Sequence, residues 1–313
     1  MKRIARMASA GDVFYIPDES FKASREKPKS LDLHERSLND PAGFWDQAAK
    51  DITWSKPYDK VVDTSRSPFN RWFPGGELNT SYNCIDRHVE AGFGEQTAII
   101  YDSPVTQTVR RVSYKELLEQ VCRAAGLLRE LGVGKGDRVV IYMPNLPEAA
   151  VSMLACARLG AVHSVVFGGF AAPELATRIR DCRPKVVLTA SCGIDGSKLV
   201  DYKALLDAAI DLASDVHRVP RCVILQREQK RAELIGGRDV DWSSSMASVR
   251  SVVREPVPVS STDPLYILYT SDTTGAPKGV LRDNGGHAVS VLWSMANVFG
   301  AYEGCVFWAA RLV

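Results

Sequence analysis

The chain has 313 residues, 45% of them hydrophobic and 24% charged, enough to bury one large core or two ordinary ones and too apolar for a disordered or collagenous polypeptide. Lys and Arg number 39 against 37 Asp and Glu, so the net charge of +2 gives no field that selects nucleic acid or an anionic membrane as the main partner. Seven cysteines, an odd number with no C-x-x-C pair, favour neither a disulfide framework nor a zinc site and fit a reducing compartment.

The chain opens on Lys2, Arg3 and Arg6, with no acid before Asp12. That basic start reads either as a short unstructured terminus or as the beginning of a mitochondrial presequence. No apolar run approaches the roughly 18 residues of a membrane span, which predicts a soluble intracellular protein of the mitochondrial matrix or cytoplasm. Residues 12 to 90 are irregular. Aromatic, Pro-containing pieces such as FWDQAAKDITW and SPFNRWFPGGELN alternate with polar turns. Trp45, Trp54, Phe69, Trp72 and Phe73 are expected to wrap onto a larger body.

Periodicity becomes regular near residue 97. TAIIY (97 to 101) and VRRVS (109 to 113) predict paired strands, and Ser113 with Glu116 forms a capping box that opens a helix with an apolar stripe of Leu117, Leu118, Val121, Ala125 and Leu128, stopped at Gly132. RVVIYM (138 to 143), AVHSVVF (161 to 167), KVVLTA (185 to 190) and RCVILQ (221 to 226) then alternate with helices beginning near Pro147, Pro173 and residue 203. Val- and Ile-rich strands separated by single amphipathic helices predict βαβ units, a doubly wound α/β fold with a parallel sheet. Residues 227 to 262 read as a polar linker. LYILYT (265 to 270) resumes the strands, residues 283 to 299 read as a helix, and VFWAA reads as a strand just beginning where the chain ends.

The segment YTSDTTGAPKG carries the chemistry. Thr270, Ser271, Thr273, Thr274, Gly275 and Lys278 lie within eleven residues, directly after an apolar strand. Backbone amides, hydroxyls and one ammonium can cradle a polyphosphate, although Gly279 after Lys278 departs from the P-loop pattern. Composition alone favours a polar surface turn over a phosphate loop.

This segment resembles the YTSGTTGxPKG signature of the adenylate-forming enzymes. DPLYILYTS, GVLRDNGGHAVSVLWSM, RWFPGGELNTSYNCIDRHVE and DRVVIYMPNLPEAAVSMLACARLGAVHSVVFGGF resemble the short-chain acyl-CoA synthetases, propionyl-CoA synthetase among them. The resemblance covers roughly residues 35 to 310. It implies a tail over 1–33, an acetyl-CoA synthetase-type N-terminal region over 34–90 and an incomplete AMP-binding domain over 91–313. It also implies that ATP, with Mg²⁺, converts propionate, then acetate, to an acyl-adenylate from which the thiol of CoA displaces AMP. Thr270, Ser271, Thr273, Thr274, Gly275 and Lys278 would hold the β and γ phosphates. For CoA, the resemblance points to Gly168, Gly169 and Phe170 and to the quartet Asp195, Gly196, Ser197 and Lys198, 26 residues after Gly169. A plain loop between strand and helix is the alternative. No metal ligand and no catalytic residue is expected within the 313 residues, because the adenylation lysine of the family lies in a later domain.

Two departures stand out. Asp272 replaces a glycine of the signature, adding a Cβ and a negative charge beside the phosphates. Members of the family are also about twice as long, so the chain reads as a truncated N-terminal portion. The alternative function is an inactive product that binds CoA or nucleotide weakly or joins the full-length enzyme through an exposed sheet edge. His163, within an apolar strand, reads as a packed core residue, His287 as part of a helix start, and the cysteines as structural thiols.

Overall fold

The computed structural model describes residues 4–6, 13–15, 29–270 and 277–308. The chain divides into two units, Met1–Gln47 and Ala48–Val313. In the first, Ile4–Arg6 pairs antiparallel with Val13–Tyr15, where one reading of the sequence was an unstructured terminus. A helix follows at Lys29–Asn39, and another begins at Pro41, with Asp40 Oδ1 accepting from the Gly43 amide at 2.9 Å.

The second unit is built on a seven-stranded sheet. A hairpin of β1 (Thr97–Ser103) and β2 (Thr108–Ser113) precedes it and leads into helix α1 (Tyr114–Glu130). The Ser113 hydroxyl accepts from the Glu116 amide while the Glu116 carboxylate accepts from the Ser113 amide, so the expected capping box is present. Then come β3 (Arg138–Tyr142), α2 (Pro147–Leu159), β4 (Val162–Val165), α3 (Ala172–Cys182), β5 (Val186–Ala190), the small strands β6 (Gly193–Asp195) and β7 (Lys198–Val200), α4 (Tyr202–Ala213) and β8 (Arg221–Leu225). The chain continues through β9 (Asp239–Asp241), α5 (Trp242–Ser248), β10 (Pro264–Thr270), β11 (Lys278–Asp283) and α6 (Gly285–Asn297).

Sheet order is β9-β8-β5-β3-β4-β10-β11. Six strands run parallel, as the expected doubly wound parallel sheet requires, and β11 returns antiparallel along one edge. Side chains alternate between the two faces. Val139 and Ile141 enter a core with Val121 and Leu128 of α1, Val151 and Ala155 of α2 and Trp242 of α5. Val140 and Tyr142 point the other way, into a core with Leu175 and Ile179 of α3 and Leu206 and Ile210 of α4. The helices therefore cover both faces of the sheet.

The predicted polar linker is not featureless. β9 pairs with β8, and Asp241 caps α5 by accepting from the Ser244 amide at 2.8 Å. The expected terminal strand is absent as far as residue 308: Val306 to Trp308 have no regular structure, and Ala309 and Ala310 lie outside the described residues.

The aromatic layer forms only in part. Phe73 is 1% exposed and packs against Trp54 and Tyr58, with Trp72 beside it, whereas Phe69 stays 81% exposed. Asn79 fastens this layer by donating from Nδ2 to the carbonyls of Ala157 at 2.9 Å and Val257 at 2.8 Å. The wide-pitched helical segment Tyr82–Asp86 delivers Asp86 to Arg158 of α2. The guanidinium donates from Nη1 at 2.9 Å and Nη2 at 2.8 Å to the two carboxylate oxygens, and from Nε to the Val253 carbonyl at 2.7 Å.

His163 is buried on β4 beside Tyr266, with no partner for Nδ1, and burial, aided by the nearby His287, pushes it down to about 4. It is a packed core residue, as expected. A histidine whose pKa falls on folding makes the native state bind fewer protons than the unfolded chain, whose imidazole titrates near 6.5. Stability is therefore expected to fall as pH drops from 6.5 towards 4, with about 2 kcal/mol of the loss at pH 5 assigned to this residue. Urea unfolding of the native chain and of His163→Asn at pH 7 and pH 5 checks this. An equal pH-dependent loss in both proteins would count against it.

Candidate functional site

In an open parallel sheet, ligands settle outside the carboxyl ends of the strands, where neighbouring connections leave towards opposite faces. Here that point lies between β3, whose chain continues into α2 on one face, and β5, which leads to α4 on the other. A cavity of about 680 Å³ opens there. Its walls come from the 143 to 146 turn after β3, the 165 to 171 segment after β4, the β6-β7 hairpin, the start of α4, the β1-β2 hairpin and Arg227.

Tyr202, the first residue of α4, organises the floor. Its ring lies 4.7 Å from that of Tyr142, and burial pushes its hydroxyl up to about 12, so it is neutral at physiological pH. A Cβ on Gly168 would stand 1.9 Å from the Tyr202 hydroxyl, and one on Gly193 would stand 2.4 Å from a ring carbon of the same side chain. Both glycines are there for space. Tyr142 donates its hydroxyl to the Phe170 carbonyl at 2.7 Å and so pins the Gly168-Gly169-Phe170 turn, while the Arg178 guanidinium lies 4.3 Å from the Phe170 ring centre.

Gly169, Asp195 and Lys198 line this one cavity. Gly196, with a φ of +59°, and Ser197 form the two-residue turn that joins β6 to β7, and Asp195 stands directly opposite Lys198 across that hairpin. The Gly-containing loop is thus a built hairpin, with its last cross-strand pair at the cavity wall.

Of the polyphosphate candidates, Thr270 and Lys278 fall elsewhere on the same edge of the sheet. Thr270 ends β10 and Lys278 begins β11, both exposed, and the two are cross-strand partners. Ser271, Asp272, Thr273, Thr274 and Gly275 lie outside the described residues. Because β10 is parallel to β3 and β4, Thr270 is at the carboxyl edge on which the cavity opens. Tyr269, just before it, donates its hydroxyl to Asp181 of α3, and its ring lies 5.5 Å from the Arg178 guanidinium.

Sequence reasoning did not single out Tyr202, Arg227, Ser103 or Thr106, all of which line the cavity. Only Tyr202 carried a signal, as the first residue of an amphipathic helix capped by Asp201, which accepts from the Ala204 amide at 3.0 Å. Among the described residues, no group of three or more His, Cys, Asp or Glu side chains suits a metal ion, and no helix is long and apolar enough to cross a membrane. Five cysteines are buried, and burial pushes the Cys182 thiol up to about 12, which makes it a structural thiol.

The family described as AMP-binding enzyme matches residues 86–310, and the one described as acetyl-coenzyme A synthetase N-terminus matches residues 31–84. Mitochondrial acyl-CoA synthetase short-chain family member 3 of Mus musculus is 51% identical over 275 residues, 88% of this chain and 40% of the relative. Acetyl-coenzyme A synthetase of Parvibaculum lavamentivorans is 43% identical over 301 residues, 95% of this chain and 46% of the relative. The solved structure of acetoacetyl-CoA synthetase from Streptomyces lividans superposes with a TM-score of 0.76 at 28% identity, covering 89% of this chain and 42% of that one. The chain spans less than half the length of these relatives, and it belongs to the AMP-binding, adenylate-forming enzyme family, with short-chain acyl-CoA and acetyl-CoA synthetases as its kin.

Proposed function

We propose that the crevice beside Tyr202 receives the nucleotide end of CoA and that the β10-β11 connection receives the β and γ phosphates of ATP, in a protein that activates a short-chain carboxylate, propionate before acetate, and passes it to CoA. The observation that carries the reading is the convergence of Gly169, Asp195 and Lys198, distant in sequence, on one cavity at the carboxyl edge of the sheet. The reading keeps the tail over 1–33, the acetyl-CoA synthetase-type region over 34–90 and the AMP-binding domain from 91. Both transfers move charge onto phosphate oxygens, so fixed donors rather than a covalent protein intermediate would carry most of the stabilisation. Thr270, Ser271, Thr273, Thr274, Gly275 and Lys278 are the donors assigned to ATP, and Gly169, Asp195, Gly196, Ser197 and Lys198 are assigned to CoA. Mg²⁺ would arrive as the counter-ion of ATP, since the described side chains build no cage for it. Isothermal titration of the chain with CoA tests the crevice. Binding blocked by Gly169→Trp supports the assignment, and binding unchanged by it removes the assignment.

Asp272 favours a second reading, in which the chain binds nucleotide weakly and is inactive alone or acts by joining the full-length enzyme. A carboxylate about 4 Å from a phosphate charge is opposed by about 4 kcal/mol at an effective dielectric of 20, before screening by Mg²⁺ and water. Asp272→Gly is therefore expected to tighten ATP several-fold, as read by fluorescent-nucleotide displacement. Equal affinity in the two forms would clear Asp272. Propionate-dependent pyrophosphate release by the unaltered chain would set the second reading aside.

A further inference from the structure

The cavity's charged lining consists of Asp195, Lys198 and Arg227. The first two face one another across the β6-β7 hairpin and offset each other locally, so the uncompensated charge belongs to Arg227. Arg227 leaves the carboxyl end of β8 on a tethered backbone. Its amide donates to Ser191 Oγ at 2.8 Å, and that hydroxyl donates in turn to the Lys230 carbonyl at 2.7 Å. Its Nη1 donates to the Cys192 carbonyl at 3.2 Å. A guanidinium carries five N–H donors, and among the described residues no carboxylate forms an ion pair with this one, whereas Lys230 beside it is paired with Asp201 at 2.6 Å. An unpaired cation held rigidly in a crevice has not been spent on the fold. The cavity therefore offers an excess positive charge within walls that also hold Phe167, Phe170 and Leu205.

We infer that Arg227 is the phosphate anchor of this crevice, pairing through its planar fork with a phosphate of the bound ligand. The inference rests on the reading of the crevice as the CoA site, and CoA and pantetheine, its phosphate-free portion, are the probes that separate the two. Both are titrated calorimetrically into the 313-residue chain and its Arg227 variants. Arg227→Gln is expected to raise the Kd for CoA about tenfold and leave pantetheine within twofold, while Arg227→Lys, which keeps a point charge, recovers part of the loss. CoA bound equally by the unaltered chain and Arg227→Gln overturns the anchor and leaves the CoA reading standing. No binding of CoA by the unaltered chain overturns both. A ratio of CoA to pantetheine affinity near one in the unaltered chain also overturns the anchor, and that readout does not depend on any variant folding.

Discussion

Asp86→Ala is expected to lower the unfolding free energy by about 3–5 kcal/mol, roughly a fifth or more of the stability of an ordinary domain. The Arg158 side chain is 1% exposed and depends on Asp86 for its charge partner and on the Val253 and Arg254 carbonyls for its remaining bonds. Removing the carboxylate leaves a guanidinium buried without a counter-charge, at a point where the layer before β1, helix α2 and the chain after α5 meet. Breaking such a pair costs far more than replacing both members. Asp86→Leu combined with Arg158→Met should therefore be substantially more stable than Asp86→Ala. Urea denaturation followed by circular dichroism reads both effects. A loss below about 1 kcal/mol for Asp86→Ala would mean that water reaches the guanidinium and the site is not dry.

On the proposed reading of the crevice as a CoA site, Gly168→Ala is expected to weaken CoA by tenfold or more while costing about 1–3 kcal/mol of stability, the usual range for overpacking. The new methyl would sit 1.9 Å from the Tyr202 hydroxyl, and the ring has no room on its other side because Gly193 already lies against it. Either Tyr202 leaves its place beside Tyr142 or the turn that ends at Phe170 moves. Both change the cavity wall. Trimming the ring to Tyr202→Phe in the Gly168→Ala background should return part of the affinity, since the closest clash is with the hydroxyl oxygen. Full CoA affinity in Gly168→Ala alone would show that the ligand does not sense this wall.

The strands that could be read in advance are those whose burial is written in their own residues. Val139 to Tyr142 and Val186 to Ala190 are covered on both faces and appear as continuous apolar runs. β9 is different. Its Asp-Val-Asp gains strand character only by pairing with β8, and one of its acids is held by Arg238 and Lys203, so it reads as linker until the neighbours are known. β11 hides for a related reason: Lys-Gly-Val-Leu-Arg-Asp is an edge with exposed side chains and no face to mark. Phe69 shows the converse error, because an aromatic on irregular backbone was expected to be covered and is not. In the proposed CoA crevice, Gly168, Gly169 and the quartet from Asp195 were singled out through resemblance alone. The requirement that Gly168 and Gly193 share one ring is a contact between segments separated by a helix and a strand, beyond the reach of any local pattern. Arg227 was one charge among many in a charged stretch until the fold set it against Cys192.

The Tyr202 ring wedged between two glycines also constrains the order in which this surface can change. A lineage that gains a side chain at 168 or 193 first passes through a crowded intermediate, whereas one that first shrinks Tyr202 opens space at both positions. New shapes of this cavity wall should thus arise by way of the aromatic position, with the glycines free to drift only afterwards.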